Sequence, residues 1–312
     1  MFKLKPCYKD YLWGGTRLVS DYGKRPEKLP LAESWELSAH KNGQSTIAGG
    51  VYDGMEFGAY LNMHPEALGV RYAAEALPIL VKLIDAKTPL SVQVHPSDAY
   101  AMAHENSKGK TELWYILDAQ VGAFLYLGLN RALTRDELLK HIETNTVEEV
   151  LRRVYVKPGE AYLVEAGTLH AIGAGIVLAE IQQSSDVTYR VYDFGRVGTD
   201  GKARALHIEQ ALDVADLSDK AILPQRTVIV EHGVWPIARN RYFSVFGVSL
   251  HGQLAIAANN ESFQAILFVE GKFKAGEVTL QKGETAFLPA GEGCMLEGKG
   301  KLLLVSGGKP QE

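Results

Sequence analysis

The sequence predicts a mainly β chain, two jelly-roll β-barrels with a small helical segment, and three observations carry that prediction. Short apolar or alternating runs recur along the chain, punctuated by Gly, Pro, Asn and Asp. One such unit occurs twice. Only two longer stretches, residues 55–76 and 134–153, read as helical instead.

The runs are LPILVKLID, LSVQVH, ELWYIL, GAFLYLG, RVYV, AYLVEAG, RTVIVEH, FSVFGVSL, AILFVEGKF and KLLLVSGG. Their spacing between turn formers suits the strands of a barrel or sandwich. The stretch at 134–153 opens TRDELL, a Thr cap followed by acidic residues that complement a helix N-terminus. The stretch at 55–76 is interrupted near Pro65. In the repeat, GEAYLVEAGTLH (159–170) lines up with GETAFLPAGEGC (283–294). Each copy is a Gly-Glu turn, a buried strand, an Ala-Gly turn and the next strand, with Gly supplying the positive φ that tight turns need. The copies differ at their last position, His170 against Cys294, so a metal site built on this hairpin belongs to the first copy alone. Residues 208–226 hold a short helical pattern, then Pro and polar residues, before strands resume at Val228. The boundary is therefore placed between a catalytic unit, 1–226, with a helical insertion at 134–153, and a smaller degenerate barrel, 227–312.

Composition narrows the function classes. With 312 residues, 46% hydrophobic and 22% charged, the chain has room for two modest domains with a sizeable core. A formal charge of −4 without any Lys/Arg cluster argues against nucleic acid or an anionic membrane as partner. Cys7 and Cys294 share no metal-ligand spacing and read as reduced, buried thiols. No apolar run of about 18 residues is present to span a bilayer. The opening MFKLKPCYKDYLWGG lacks the apolar core of a signal peptide. The expectation is a cytoplasmic protein, monomer or dimer, acting on a small molecule.

Chemistry-bearing residues cluster in the first unit. A strand period of two puts Gln93 and His95 on one face with Val94 on the other. Alone, His95 reads as a core histidine satisfied by a backbone carbonyl. Glu112 precedes the apolar run LWYIL; it is either a solvated residue or a carboxylate whose burial a cation must offset. His170 ends the Gly-rich hairpin. Two imidazoles and a carboxylate, with or without an amide oxygen, suit Zn²⁺ with an open position, and equally suit the open iron site of a dioxygenase. Further on, GIVLAEIQQSSDVTYRVYDFGR (175–196) carries Glu180, Arg190 and Arg196. By pattern alone these arginines could anchor an anion, but they read more simply as ordinary surface cations.

Together, LSVQVHP (90–96), KTELWY (110–115), GTLHAIG (167–173) and EIQQSSDVTYRVYDFGR (180–196) resemble the type I mannose-6-phosphate isomerases in their short bacterial form. Trp13-Gly14-Gly15 and AESWE (32–36) fit as well, so the likeness runs from about residue 8 to the end. The resemblance implies two cupin-like barrels and one Zn²⁺ per chain held by His95, Glu112 and His170, with Gln93 matching the fourth ligand of the family's longer members. It implies that Arg190 is the catalytic arginine and that Lys110, Glu180 and Lys82 line the pocket, with Lys82 and Arg190 the candidates for holding phosphate. The implied reaction interconverts mannose 6-phosphate and fructose 6-phosphate through a cis-enediol. Either Glu180 or Lys110 is then the general base. A sugar-binding protein of the same fold without turnover, or an iron-dependent dioxygenase, are the competing expectations.

Overall fold

The computed structural model describes residues 1–72, 74–198, 201–225 and 232–308. It is mainly β, as expected: the first unit is a two-sheet jelly roll, and the second is built on one eight-stranded sheet. In the first unit, six strands run in the order Ala161–Val164, Glu112–Ala119, Ile176–Gln183, Ile79–Ala86, Glu33–Leu37, Cys7–Lys9. A five-stranded sheet, Leu151–Tyr155, Phe124–Leu129, His170–Ile172, Val92–Val94, Tyr189–Tyr192, lies across from it. Trp114, Ile116, Ile84 and Leu178 from the first sheet meet Leu125, Leu127 and Ile172 from the second in one core.

The central strands of the six-stranded sheet show why their sequences barely alternate. Along Ile79–Ala86 and Ile176–Gln183 every residue is buried. Ile84, Ala86, Ile176 and Leu178 face the core just described, while Ile79, Val81, Leu83, Val177, Ala179 and Ile181 face a second core. A strand covered on both faces needs apolar residues on both. The second core is shared with Phe243, Val245, Ala265, Leu267, Phe287 and Leu303, so it joins the two barrels.

The C-terminal barrel is centred on two 14-residue strands, Phe243–Ile256 and Cys294–Gly307, paired along their whole length. Its sheet also takes Phe2–Lys5 and Thr46–Ala48 from the N-terminal part of the chain. The expected strand 226–232, the resumption of strands at Val228 and the boundary between 226 and 227 lie outside the described residues except for His232, which sits in a bend.

Two helical expectations change in extent. Arg135–Glu143 starts on the Thr134/Glu137 capping box that TRDELL signals, but Asn145 (φ 58°) breaks the helix. After the turn Val147–Val150, a strand begins at Leu151, where pairing with Leu129 overrides helix propensity. In 55–76 the helix is Phe57–Met63, followed by a 3₁₀ turn, Pro65–Leu68, that ends at Gly69 (φ 91°). Among the described residues no helix is long and apolar enough to cross a membrane.

The repeat is a repeat in three dimensions. Ala161–Val164 and Thr285–Leu288 are the matching strands, and Gly159, Gly167, Gly283 and Gly291 all have positive φ. Gly159 N donates to Ile116 O (2.8 Å) as Gly283 N donates to Phe268 O (2.7 Å). Lys157 N donates to the Glu160 carboxylate as Gln281 N donates to that of Glu284, both at 2.8 Å.

A buried ion pair ties the units together. Glu36 accepts from Ser34 Oγ (2.6 Å) and Thr285 Oγ1 (3.0 Å), and Lys24 Nζ lies 2.5 Å from it while also donating to Gly283 O. Breaking one side of a buried pair leaves a charge without compensation. Glu36→Ala is expected to lower unfolding free energy by about 3–5 kcal/mol. Denaturant unfolding checks this, and Lys24→Met added to Glu36→Gln is expected to recover much of the loss.

Candidate metal centre

His95 follows the strand Val92–Val94, His170 begins His170–Ile172, and Glu112 begins Glu112–Ala119 on the opposite sheet. In register, His170 stands beside Gln93, and Arg190 stands on Gln93's other side. The two sheets thus converge three ligand-type side chains, all essentially without exposure, with one ligand atom from each inside 4.8 Å. Among the described residues this is the one group of three or more His, Cys, Asp or Glu placed to hold a metal. Glu112 Oε1 is 3.4 Å from His170 Nε2, and Oε2 is 3.6 Å from His95 Nε2.

Each imidazole is aimed by its other nitrogen. His95 Nδ1 donates to Val187 O (2.9 Å) and His170 Nδ1 to Thr168 O (2.8 Å). A carbonyl only accepts, so both Nδ1 atoms carry the proton and both Nε2 lone pairs point at Glu112. Burial lowers both imidazoles, His170 to about 4 and His95 well below its usual value, so both are neutral at pH 7. Burial pushes the Glu112 carboxyl up to about 7, against the pull of Lys110. Neither Glu112 oxygen accepts a well-formed hydrogen bond, although Lys110 Nζ is 2.6 Å from Oε2. A dry carboxylate facing two neutral imidazole nitrogens needs a cation. The donor set fits a divalent ion of the Zn²⁺ type. The Gln93 amide is 3.4 Å from His170 Nε2, at the edge of the same cluster.

A chain of alternating charge continues from the triad. Lys110 Nζ lies 3.1 Å from His95 Nε2 and 3.9 Å from Glu180 Oε1, and Lys82 Nζ lies 3.0 Å from Glu180 and 3.7 Å from Glu33. Trp114 Nε1 donates to the other Glu180 oxygen (3.0 Å), and Trp35 Nε1 donates to Glu33 (2.6 Å). Burial opposes ionisation of Glu180, but Lys110 and Lys82 outweigh it and hold the carboxyl down to about 2. The same pairing, against burial, raises Lys82. Three carboxylates against two ammonium groups leave an excess negative charge, again calling for a cation.

These groups open onto a cavity of about 550 Å³ lined also by Lys9, Tyr11, Trp13, Ser91, Arg190 and Arg204. Arg190 Nε donates to Ser91 Oγ (3.2 Å) and its Nη1 to Ala205 O (2.9 Å), with no carboxylate partner among the described residues. Arg196 is neither a free surface cation nor an anion anchor. It is paired with Asp193, which Arg204 also grips at 2.7 Å. Of the expected site residues, Gln93, Lys110, Glu180, Lys82 and Arg190 line this cavity, and His95, Glu112 and His170 lie buried behind it, in contact with Lys110 and Gln93. Sequence reasoning missed Lys9, Ser91, Trp114 and Arg204, and gave Glu33 no role although it lies within the AESWE motif.

The second barrel is an internal control, because strand register gives each position its counterpart. Glu112 pairs with Val164 as Gln264 pairs with Leu288, so Gln264 stands where Glu112 does. Gly167 N donates to His95 O as Gly291 N donates to Asn259 O, which matches Asn259 to His95. Glu180 sits between Trp114 and Lys82, whereas Leu304 sits between Ile266 and Phe246. The hairpin match puts Cys294 at the His170 position. The whole charged apparatus is thus confined to the first copy.

Known proteins resemble this chain along most of its length. A model of the phosphomannose isomerase type I catalytic domain matches residues 1–126, and one of the mannose-6-phosphate isomerase cupin domain matches residues 236–306. Mannose-6-phosphate isomerase ManA of Bacillus subtilis (strain 168) is 38% identical over 299 residues, covering 93% of both chains. A crystal structure of the mannose 6-phosphate isomerase from Bacillus subtilis superposes with a TM-score of 0.88 at 34% identity, covering 97% of this chain and 98% of that one. A zinc-bound mannose 6-phosphate isomerase structure shares the fold at a TM-score of 0.79 and 20% identity, covering 98% and 99%.

Proposed function

The chain belongs to the type I phosphomannose isomerases, and from that premise we propose that it interconverts mannose 6-phosphate and fructose 6-phosphate with one Zn²⁺ on His95, Glu112 and His170. The observation that carries the reading is the dry Glu112 carboxylate between two neutral imidazoles, buried behind Lys110 and Gln93 of an open, cation-lined cavity. The zinc-bound relative of the same fold favours that metal over iron. Bound there, the ion supplies Lewis acidity to the sugar's carbonyl and hydroxyl oxygens without a redox change.

The protein's own residues do the rest. A proton moves between C2 and C1 through a cis-enediol, and negative charge grows on oxygen as it leaves carbon. Arg190, with no carboxylate partner among the described residues, offsets that charge and orients the sugar. Glu180 and Lys110 border the reacting end. Both are candidates for the proton transfer. Glu180, held ionised by two lysines, has a free lone pair but is a weak acceptor, while Lys110, an ammonium between two carboxylates, must first give up a proton before it can take one. Lys82 is saturated by Glu180 and Glu33 and steadies that pair, which leaves Lys9 as the cation to meet the phosphate, joined by Arg190 only if Arg190 does not act on the reacting oxygens. Lys9 Nζ lies 4.7 Å over the Trp35 ring.

The test is conversion of mannose 6-phosphate to fructose 6-phosphate by protein stripped of metal and restored with zinc, without oxygen. Restored turnover is expected. A folded, zinc-loaded protein without turnover would sink the reading and favour a sugar-binding role; a need for oxygen would favour a dioxygenase. Glu180→Gln is expected to lower kcat by about a hundredfold, with Lys110→Met lower still.

A further inference from the structure

The counterpart of the catalytic cavity in the second barrel has lost its metal ligands but not its concavity. A cavity of about 380 Å³ is lined by Phe246, Asn259, Ser262 and Ser306. These correspond by register to Lys82, His95, Lys110 and Gln182 of the first barrel. Arg71, Arg239, Asn240, Ser244, Glu261 and Gly307 complete the lining. An abandoned cleft would be expected to fill with apolar side chains, as the barrel interior behind it has done with Val248, Ile266, Phe268 and Leu302. This one stays open and rich in hydrogen-bond donors.

We propose that this cavity is a second ligand site, for a hydroxylated anion of the sugar-phosphate class. Asn240 is the clearest sign. Its Oδ1 accepts from the backbone N–H groups of Tyr242 (2.8 Å) and Phe243 (2.9 Å), which fixes the amide, and its buried Nδ2 donates to no protein acceptor. A fixed, buried donor without a partner is costly unless a ligand or water completes it. Arg239 rests on the Phe246 ring, 4.7 Å from its centroid, and has no carboxylate partner among the described residues. Arg71 is held by Glu261 (3.2 Å) and by Gly308 O (2.7 Å), so the cavity carries one net positive charge. Ser262 and Ser306 hydroxyls reach only neighbouring backbone at 3.2–3.3 Å, weak bonds that a sugar hydroxyl can replace. A positive, donor-lined cavity with an aromatic wall suits a phosphorylated sugar better than a neutral or hydrophobic ligand.

Asn240→Asp tests this cleanly, because it keeps the oxygen that caps the turn and replaces the free donor with an anionic acceptor. Titration calorimetry of the full-length, zinc-loaded protein with fructose 6-phosphate is expected to show two sites per chain. Asn240→Asp and Arg239→Ala are each expected to weaken the second at least about tenfold, with melting temperature and kcat/KM unchanged. His170→Ala is expected to leave the second site intact, so its detection does not depend on turnover. A single site per chain, or a second site indifferent to both substitutions, would overturn the proposal.

Discussion

Glu112→Gln is expected to fold normally, to lose metal, and to lose at least about a thousandfold in kcat/KM, the few kcal/mol that a Lewis acid contributes to charge stabilisation. The folding half of this expectation comes from the molecule itself. Gln264 occupies the equivalent position at the same strand register in the second barrel, so the jelly roll accommodates an amide there. Removing a carboxylate whose burial pushes it up to about 7 also removes a desolvation cost from the metal-free state. Metal-free variant and metal-free parent should therefore melt at similar temperatures. The parent alone should gain stability on adding zinc, by about 4 kcal/mol at a thousandfold excess over Kd. A variant that still shows a zinc-dependent rise in melting temperature would remove Glu112 from the ligand set, whatever its activity. His170→Ala is expected to lose zinc in the same way, but its cavity beside Trp114, whose ring lies 5.3 Å away, adds a loss of stability that Glu112→Gln avoids.

How much of this could be read before the structure follows from which information is local. The period of two placed Gln93 and His95 on one face, and the Thr134 cap placed a helix start, because both depend on residues a few positions apart. The paired hairpins were readable because Gly at fixed offsets reports positive φ directly. Phe2–Lys5 was not readable as a strand of the second barrel: its partners are Thr285–Leu288, some 280 residues away, and four alternating residues carry no such address. The helix expected to reach residue 153 stops early for a similar reason, since Leu151 answers to Leu129 rather than to its neighbours. In the site, ligand types were visible as residue types. Their second contacts were not. Nothing near Thr168 or Val187 marks their carbonyls as the acceptors that aim His170 and His95, and nothing in Arg204 marks it as the partner of Asp193.

Arg190 gives the second large effect. Its guanidinium is bound only to neutral oxygens, Ser91 Oγ and Ala205 O, so it brings an unneutralised charge to the cavity beside Gln93. Burial lowers its pKa, against a nearby Asp193, yet an arginine stays charged throughout the working pH range. Such a group stabilises developing oxygen charge far more strongly in a recessed site than in water, by about 3–4 kcal/mol for a single preorganised donor. Arg190→Ala is accordingly expected to lower kcat by about a hundred- to a thousandfold. Because no ion pair is broken, the melting temperature should shift little. Steady-state kinetics decide between the two roles open to it. If the guanidinium acts on the reacting oxygens, kcat falls and KM moves modestly; if it only anchors phosphate, KM rises and kcat is retained. Arg190→Lys sharpens the contrast, since a point charge on a shorter reach cannot reproduce the fork that holds Ser91 and Ala205 together. A transition-state role predicts that lysine recovers little of the lost kcat. Native kcat in either variant would take Arg190 out of the chemistry and leave Lys110 and Glu180 as the groups that must carry it.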